Sequence, residues 1–161
     1  MHLIHRLREP NAAIEHPPLL VLLHGIGSNE QDLYSLAPLL DERLVVVSAR
    51  APLTLAPGMY SWFTIEIGGN GLKINYAELE RSRDAVIEFV RQAAGSHDVD
   101  PRKIFLMGFS QGAMLSAAVA FAEPSMFAGA VLMSGAILPE STGKAAILGR
   151  LVGFPLMATH G

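Results

Sequence analysis

A serine between two glycines, in the pentapeptide 108–112 (Gly-Phe-Ser-Gln-Gly), is the feature that most limits how this chain can fold. The apolar run 103–107 before it favours a strand, and the run 113–118 after it favours a helix. A sharp strand-to-helix reversal brings two backbones too close for a Cβ, so glycines are expected on both sides of the turn. The pattern therefore predicts that Ser110 is a nucleophile exposed at the end of a strand. A serine that only caps the helix is the alternative.

A hydrolytic serine also needs rigid backbone donors aimed at the oxyanion of its tetrahedral intermediate. The N–H of Gln111 follows the nucleophile and lies at the positive end of the helix dipole. A second donor is expected from the glycine-rich loop 24–28, which follows the apolar strand 19–23. We assign it to the N–H of Ile26. The alternative is that the glycines of this loop only serve a turn.

Five motifs together resemble the phospholipase/carboxylesterase family, the acyl-protein thioesterase-like serine hydrolases. In chain order they are the loop 22–33, Ala-Pro followed by Tyr-Ser-Trp-Phe within 51–63, the pentapeptide 108–112, Met-Ser-Gly at 133–135 and Thr-His-Gly at 159–161. The resemblance runs from about residue 18 to the end of the chain. It implies an α/β class protein with the α/β-hydrolase fold: a mostly parallel sheet with helices on both faces. It also implies a Ser-Asp-His triad that acts on carboxyl esters or thioesters.

The histidines do not complete that triad. In the family, the aspartate and the catalytic histidine follow the strand-end His-Gly, which here is His160 and Gly161. We therefore expect one α/β-hydrolase domain over residues 1–161 that is C-terminally truncated, without its last strand and helix. The resemblance implies that His24 anchors the loop rather than acting as the base. The other histidines lie in an expected edge strand or in turns, and no metal-ligand spacing occurs, so neither a metal nor a cofactor is expected.

Trp62 and Phe63 are the candidate substrate-binding residues, because the resemblance places their segment near the catalytic mouth. Plain core packing is the alternative, since a Trp and a Phe in a short apolar run are often buried. No large lid is expected, which suits small to medium acyl groups. Glu30 and Asp32 precede an expected helix near Leu33, so helix capping and first-turn charge explain them without chemistry.

Other elements follow from local pattern. Helices are expected around 33–40 and from the capping box Asn75 and Glu78 to Gly95, where the glycine should end the helix. Further strands are expected at 2–8, at 44–48, at 127–133 and at 154–159, with the first at a sheet edge.

Composition excludes some classes of partner. The chain has 12 basic and 15 acidic residues, a net charge of −3 and no basic cluster, which argues against nucleic acid binding. The longest apolar stretch, 113–122, is about half of the roughly 20 residues that a membrane span needs, so stable membrane insertion is not expected. There is no cysteine and no signal-peptide pattern, so a cytoplasmic location is the default. The expected partner is a small-molecule ester or thioester, and a homodimer is left open.

Three functions stay open from the sequence. The first is a serine carboxylesterase or thioesterase that forms an acyl-enzyme on Ser110, although residues 1–161 alone are not expected to be fully active. The second is a non-catalytic protein of the same fold that binds an apolar ligand or partner. The third is a serine peptidase, because nothing in these residues distinguishes the leaving group.

Overall fold

A six-stranded sheet organises the computed structural model, which describes residues 3–11, 13–68, 71–138 and 152–160. The strands are β1 (His5–Arg8), β2 (Leu19–Leu23), β3 (Val45–Ala49), β4 (Leu53–Ala56), β5 (Met59–Ser61), β6 (Ile65–Gly68), β7 (Gly71–Ile74), β8 (Ile104–Phe109), β9 (Gly129–Met133) and β10 (Leu156–Thr159). The α-helices are α1 (Tyr76–Ser96) and α2 (Gln111–Ala122), and 3₁₀ helices occupy Leu33–Leu39 and Pro124–Met126.

The order of strands in the main sheet is β1-β3-β2-β8-β9-β10. β1 is an antiparallel edge strand, and the other five strands run parallel. Because the carboxyl ends of parallel strands meet at one edge of a sheet, the segments that follow β2, β8, β9 and β10 lie side by side. The mostly parallel α/β architecture predicted from the sequence is confirmed.

Alternate residues of the buried strands face opposite layers. Leu19, Val21 and Leu23 of β2 pack into the larger core with the two α-helices. Leu20 and Leu22 face the other side, where they pack against the 3₁₀ helix Leu33–Leu39. Because both faces of β2 are covered, the strand is a continuous apolar run rather than an alternating one.

The two α-helices have different characters. α2 is apolar on nearly its whole circumference and is buried between the sheet and α1, whereas α1 exposes a charged face. Neither could cross a bilayer, since α1 has the length but carries charges and α2 spans only 12 residues. This holds for the part of the chain that the structure describes.

Several local predictions need correction. The helix expected at 33–40 is a 3₁₀ helix with Pro38 inside it, because proline cannot donate an α-helical hydrogen bond. α1 runs through Gly95 and ends at Ser96, with His97 as its C-cap residue. Asn75 does cap α1, since its Oδ1 accepts the N–H of Glu78, but the Glu78 carboxylate accepts the N–H of Thr64 at 2.7 Å instead of reaching back. That bond ties the β6–β7 hairpin, which the sequence did not reveal, to the helix.

On the second face, an open apolar groove of about 560 Å³ lies between the segment 40–44, which follows the 3₁₀ helix, and strands β8 to β10. Its lining includes Leu40, Leu44, Phe105, Met107 and Met157. None of the described residues fills it.

We predict opposite effects from two glycine substitutions in the helices. A Cβ on Gly112 would overlap the carbonyl oxygens of Leu23 and His24, which are backbone atoms and cannot move aside. Gly112→Ala should lower the free energy of unfolding by about 3 kcal/mol or more. A Cβ on Gly95 would meet nothing within 4 Å, so Gly95→Ala should raise it by about 0.5–1 kcal/mol. Urea unfolding followed by circular dichroism measures both, and equal effects would contradict the packing described.

Candidate active site around Ser110

Ser110 has the backbone geometry expected of a nucleophile at a sharp turn. Its φ is +52° and its ψ is −114°, a backbone conformation that residues other than glycine rarely adopt. The turn is held on both sides, because the N–H of Ser110 donates to the Met133 carbonyl at 2.8 Å and its carbonyl accepts the N–H of Ala113 at 3.0 Å. The half-buried side chain makes no capping hydrogen bond. The helix-cap alternative is therefore not supported.

The glycine-rich loop after β2 lies directly against this turn. A Cβ built on Gly25 would be 3.4 Å from Ser110 Cβ and 3.1 Å from Phe109 Cδ1. On the other side of the turn, Gly112 brings the start of α2 against the backbone at the end of β2. These two contacts place the loop and the helix start around one hydroxyl.

The backbone amides of Ile26 and Gln111 donate to no acceptor among the described residues, and the same holds for the adjacent amides of Gly25 and Gly112. Further along the loop, the N–H of Gly27 donates to the Tyr60 carbonyl at 2.8 Å and that of Ser28 donates to the Gly25 carbonyl at 3.2 Å. The N–H of Gln111 is at the first position of α2, where the helix offers it no partner. The Ile26 and Gln111 amides are those that the sequence assigned to the oxyanion, and that role stays a prediction.

His24 is buried and uses both ring nitrogens. Its Nε2 accepts the N–H of Ala51 at 3.1 Å, so the proton is on Nδ1, which donates to the Gly25 carbonyl at 2.7 Å. Burial lowers the pKa of His24 below its ordinary value, which favours this neutral form. The geometry agrees with a loop anchor and leaves no nitrogen to act as a base.

A buried ion pair holds the far end of the same loop. The Glu30 carboxylate accepts two hydrogen bonds from Arg50, at 2.6 Å each, and the guanidinium lies 4.6 Å over the ring of Tyr60. Arg50 holds the pKa of Glu30 below its usual range. The backbone N–H of Tyr60 donates to the Ser28 carbonyl at 2.9 Å, so the pair is linked to the loop.

The capping interpretation of Glu30 and Asp32 is wrong in its details. Glu30 is buried in the Arg50 pair, and the Asp32 carboxylate accepts the Ser28 hydroxyl at 2.8 Å without capping the 3₁₀ helix. Sequence reasoning could not foresee the pair, because Arg50 is 20 residues away and meets Glu30 only through the fold.

Trp62 and Phe63 are both fully buried. This is what the core-packing alternative predicts, and neither side chain lines the surface beside Ser110. Trp62 donates its indole N–H to the His24 carbonyl at 2.9 Å. The buried Gln111 side chain bonds the backbone of both residues, as Oε1 accepts the N–H of Trp62 at 2.9 Å and Nε2 donates to the Phe63 carbonyl at 2.6 Å.

Three other apolar side chains are exposed near the nucleophile: Ile26 (44%), Met59 (45%) and Phe109 (41%). Phe109 precedes Ser110, and its Cδ1 lies 3.1 Å from the position that a Cβ on Gly25 would occupy. Met59 Cε lies 3.4 Å from the position that a Cβ on Gly27 would occupy. They surround the loop that carries the Ile26 amide. Sequence reasoning missed Met59 and Phe109 as exposed apolar residues, although Phe109 lies within the pentapeptide 108–112 and Met59 within the segment 51–63.

The other histidines are separated by the topology. His16 pairs with Asp98 at 3.2 Å and His97 with Glu9 at 3.0 Å. His16, His97 and Asp98 precede parallel strands, and Glu9 follows the antiparallel β1, so both pairs lie at the edge of the sheet opposite to Ser110. His160 follows β10 and so lies at the edge of the sheet where Ser110 lies, and it is exposed. His2 and Gly161 are outside the described residues. Within the described ranges, no three His, Asp or Glu side chains cluster as metal ligands would.

Comparison with known proteins shows the family of the chain. The sequence model of the Phospholipase/Carboxylesterase family matches residues 10–161. Esterase YpfH of Escherichia coli is 30% identical over 133 residues, which are 79% of this chain and 56% of that protein. Acyl-protein thioesterase 1 of Candida albicans is 28% identical over 128 residues, which are 72% of this chain and 55% of that protein. The chain thus spans just over half the length of these two curated relatives.

Solved structures confirm the fold. The crystal structure of a Bacillus cereus carboxylesterase superposes with a TM-score of 0.72 at 23% identity, over 99% of this chain and 84% of that one. At such identity the likeness concerns the fold alone, and it confirms the predicted α/β-hydrolase architecture.

We predict that the Glu30 ion pair gives the protein a pH-dependent stability. Because the pKa of Glu30 is lowered on folding, its contribution is fully present above the unfolded value of about 4.3 and is lost as the pH falls through the folded value. Glu30→Gln should lower the free energy of unfolding by about 2 kcal/mol at pH 7, and the difference from wild type should shrink below about pH 4. Urea titrations from pH 3 to pH 7 measure this.

Glu66→Gln is the matched control, since Glu66 pairs with Lys73 at 3.5 Å on the exposed β6–β7 hairpin. It should change stability by less than about 0.5 kcal/mol at any of these pH values. A Glu30→Gln effect as small as this, or one that grows on acidification, would contradict the role of the pair.

Proposed function

We propose that this chain, which belongs to the phospholipase/carboxylesterase family, is part of a serine hydrolase. The hydrolase cleaves carboxyl esters or thioesters through an acyl-enzyme on Ser110. The curated relatives described as an esterase and an acyl-protein thioesterase support the ester or thioester class. Since the chain spans just over half of their length, the proposal concerns the activity of the whole protein.

The observation that carries the proposal is a serine hydroxyl in a strained turn, next to the Ile26 and Gln111 amides, with no hydrogen-bond partner for any of the three among the described residues. Ser110 Oγ would attack the acyl carbon, and the oxygen that becomes negative would accept the N–H groups of Ile26 and Gln111. The second donor is at the N-terminus of α2, whose dipole also favours the negative charge. The C–O or C–S bond to the leaving group then breaks, which leaves the acyl group on Ser110.

The Ser110 proton needs a base, and His24 cannot supply it because both its nitrogens are engaged. The family resemblance assigns this work to an aspartate and a histidine that follow the His-Gly pair 160–161. In the proposal, that histidine takes the proton from Ser110 and gives it to the leaving group. It then removes a proton from the water that hydrolyses the acyl-enzyme, which returns the serine and releases the acid.

The exposed apolar side chains of Ile26, Met59 and Phe109 support an apolar acyl group of small to medium length. They flank the loop that would hold the carbonyl oxygen, so an alkyl chain attached to that carbonyl carbon has apolar surface within reach. In this proposal they take the place that Trp62 and Phe63 had in the sequence prediction.

Ser110→Ala should abolish both covalent labelling by a fluorophosphonate and the hydrolysis of acetyl esters and thioesters, with a loss of at least about 10³-fold. Ser134→Ala is the control, because Ser134 directly follows β9 at the same edge with a similar φ of +51° but is not between a strand and a helix start. It should keep labelling and turnover. Intact mass and peptide mapping of the full-length protein locate the adduct.

Other results would point elsewhere. A label on another residue, or esterase activity that survives Ser110→Ala, would contradict the proposal. Faster cleavage of amides than of matched esters would favour the peptidase. Absence of any label in a folded full-length protein would favour the non-catalytic binding protein.

Met59→Ser should lower kcat/KM for a hexanoyl ester about five-fold, the effect of losing about 1 kcal/mol of apolar contact. It should leave the acetyl ester unchanged within about two-fold, because a two-carbon acyl group does not reach the side chain. Leu39→Ser removes an even more exposed apolar side chain from the 3₁₀ helix and serves as the control. A uniform loss across chain lengths would exclude Met59 from the acyl surface.

A further inference from the structure

Trp62 uses all three of its polar groups in the interior. Its backbone N–H donates to Gln111 Oε1 at 2.9 Å, and its carbonyl accepts the Ser82 hydroxyl at 2.5 Å. Its indole N–H donates to the His24 carbonyl at 2.9 Å. Trp62, His24, Gln111 and Ser82 are each buried to 98% or more. The proposed mechanism uses none of these side chains.

Two of these bonds lead to the two halves of the proposed oxyanion site. The Gln111 side chain belongs to the residue whose own amide is one donor. The His24 carbonyl is two residues before the Ile26 amide, and the His24 ring also holds the Gly25 carbonyl at 2.7 Å. One tryptophan therefore joins the loop after β2 to the start of α2.

The strength of this link comes from its burial. A hydrogen bond between buried groups cannot be replaced by water, so breaking one leaves an unpaired polar atom at a cost of about 1–3 kcal/mol. An oxyanion site works only when both donors are about 2.7–3.1 Å from one point, and a shift of about 1 Å removes much of its effect. The buried hydrogen bonds of Trp62 link the two donor segments and so can keep their amides at a fixed distance.

We infer that Trp62 is a positioning residue, which sets the spacing between the Ile26 and Gln111 amides while it contacts no substrate. The inference rests on the proposed function, because it concerns the donors of that same site. The indole N–H then affects the rate of the chemical step, through the position of the oxyanion donors, and does not affect recognition of the acyl group.

The test compares Trp62→Phe with Phe63→Leu in the full-length protein. The first change keeps an aromatic ring but removes the bond to the His24 carbonyl. The second perturbs a neighbouring side chain that is equally buried and makes no such bond. Both variants are assayed on an acetyl ester, at a temperature well below the lower of their two unfolding midpoints.

Trp62→Phe should lower kcat about 10- to 100-fold and leave KM within about two-fold, because the oxyanion forms only after the substrate is bound. Phe63→Leu should keep kcat within about three-fold, although both variants unfold at a lower temperature. Equal losses of kcat in the two variants, or an unchanged kcat in Trp62→Phe, would overturn the inference.

A second measurement does not need turnover. The ¹⁵N order parameter of the Ile26 amide should fall from about 0.85 to below about 0.6 in Trp62→Phe and stay near the wild-type value in Phe63→Leu. If the wild type cleaves no ester, the proposed function fails, and this measurement alone decides whether Trp62 holds the loop. An unchanged order parameter in Trp62→Phe overturns the inference in that case as well.

Discussion

The turn at Ser110 is the constraint on which the arrangement of the site depends. Its positive φ puts a non-glycine residue in a costly conformation, and such a conformation persists only where its surroundings hold it. Here the Met133 carbonyl binds one side of the turn, and α2 begins directly on the other side. α2 can lie so close to the end of β2 only because Gly112 has no Cβ. The strained backbone of Ser110 therefore depends on the close packing of α2 against the end of β2.

The interior behind this turn is polar where an apolar core would be expected. His24, Gln111 and Trp62 exchange hydrogen bonds at full burial, in the middle of the larger apolar cluster. A buried polar group is tolerated when it has partners, and then it specifies one arrangement more strictly than apolar contacts do. Trp62 and Phe63, which the sequence suggested for substrate contact, are instead buried behind the turn, and the exposed apolar surface comes from other side chains of the same motifs.

The agreement between sequence and structure follows the range of the interactions involved. Strand β2, helix α2 and the turn between β8 and α2 are set by neighbouring residues, through apolar periodicity and glycine placement, and these predictions held. The segment Leu33–Leu39 forms a 3₁₀ helix rather than an α-helix because Pro38 lacks the N–H that an α-helix requires. Glu30 was misjudged because its partner is distant along the chain, and the β6–β7 hairpin was missed because its strands are short.

The sequence by itself determined the local backbone around Ser110, because glycine spacing, a strand before the serine and a helix after it are local requirements that few arrangements satisfy. The oxyanion role of the Ile26 and Gln111 amides stays a prediction from their position in the motifs and from the family resemblance. Only the tertiary structure decided which side chains face solvent and which are buried beside Ser110. Burial depends on how segments far apart in the chain meet, and this is why Trp62 and Phe63 are in the core while Met59 and Phe109 reach the surface.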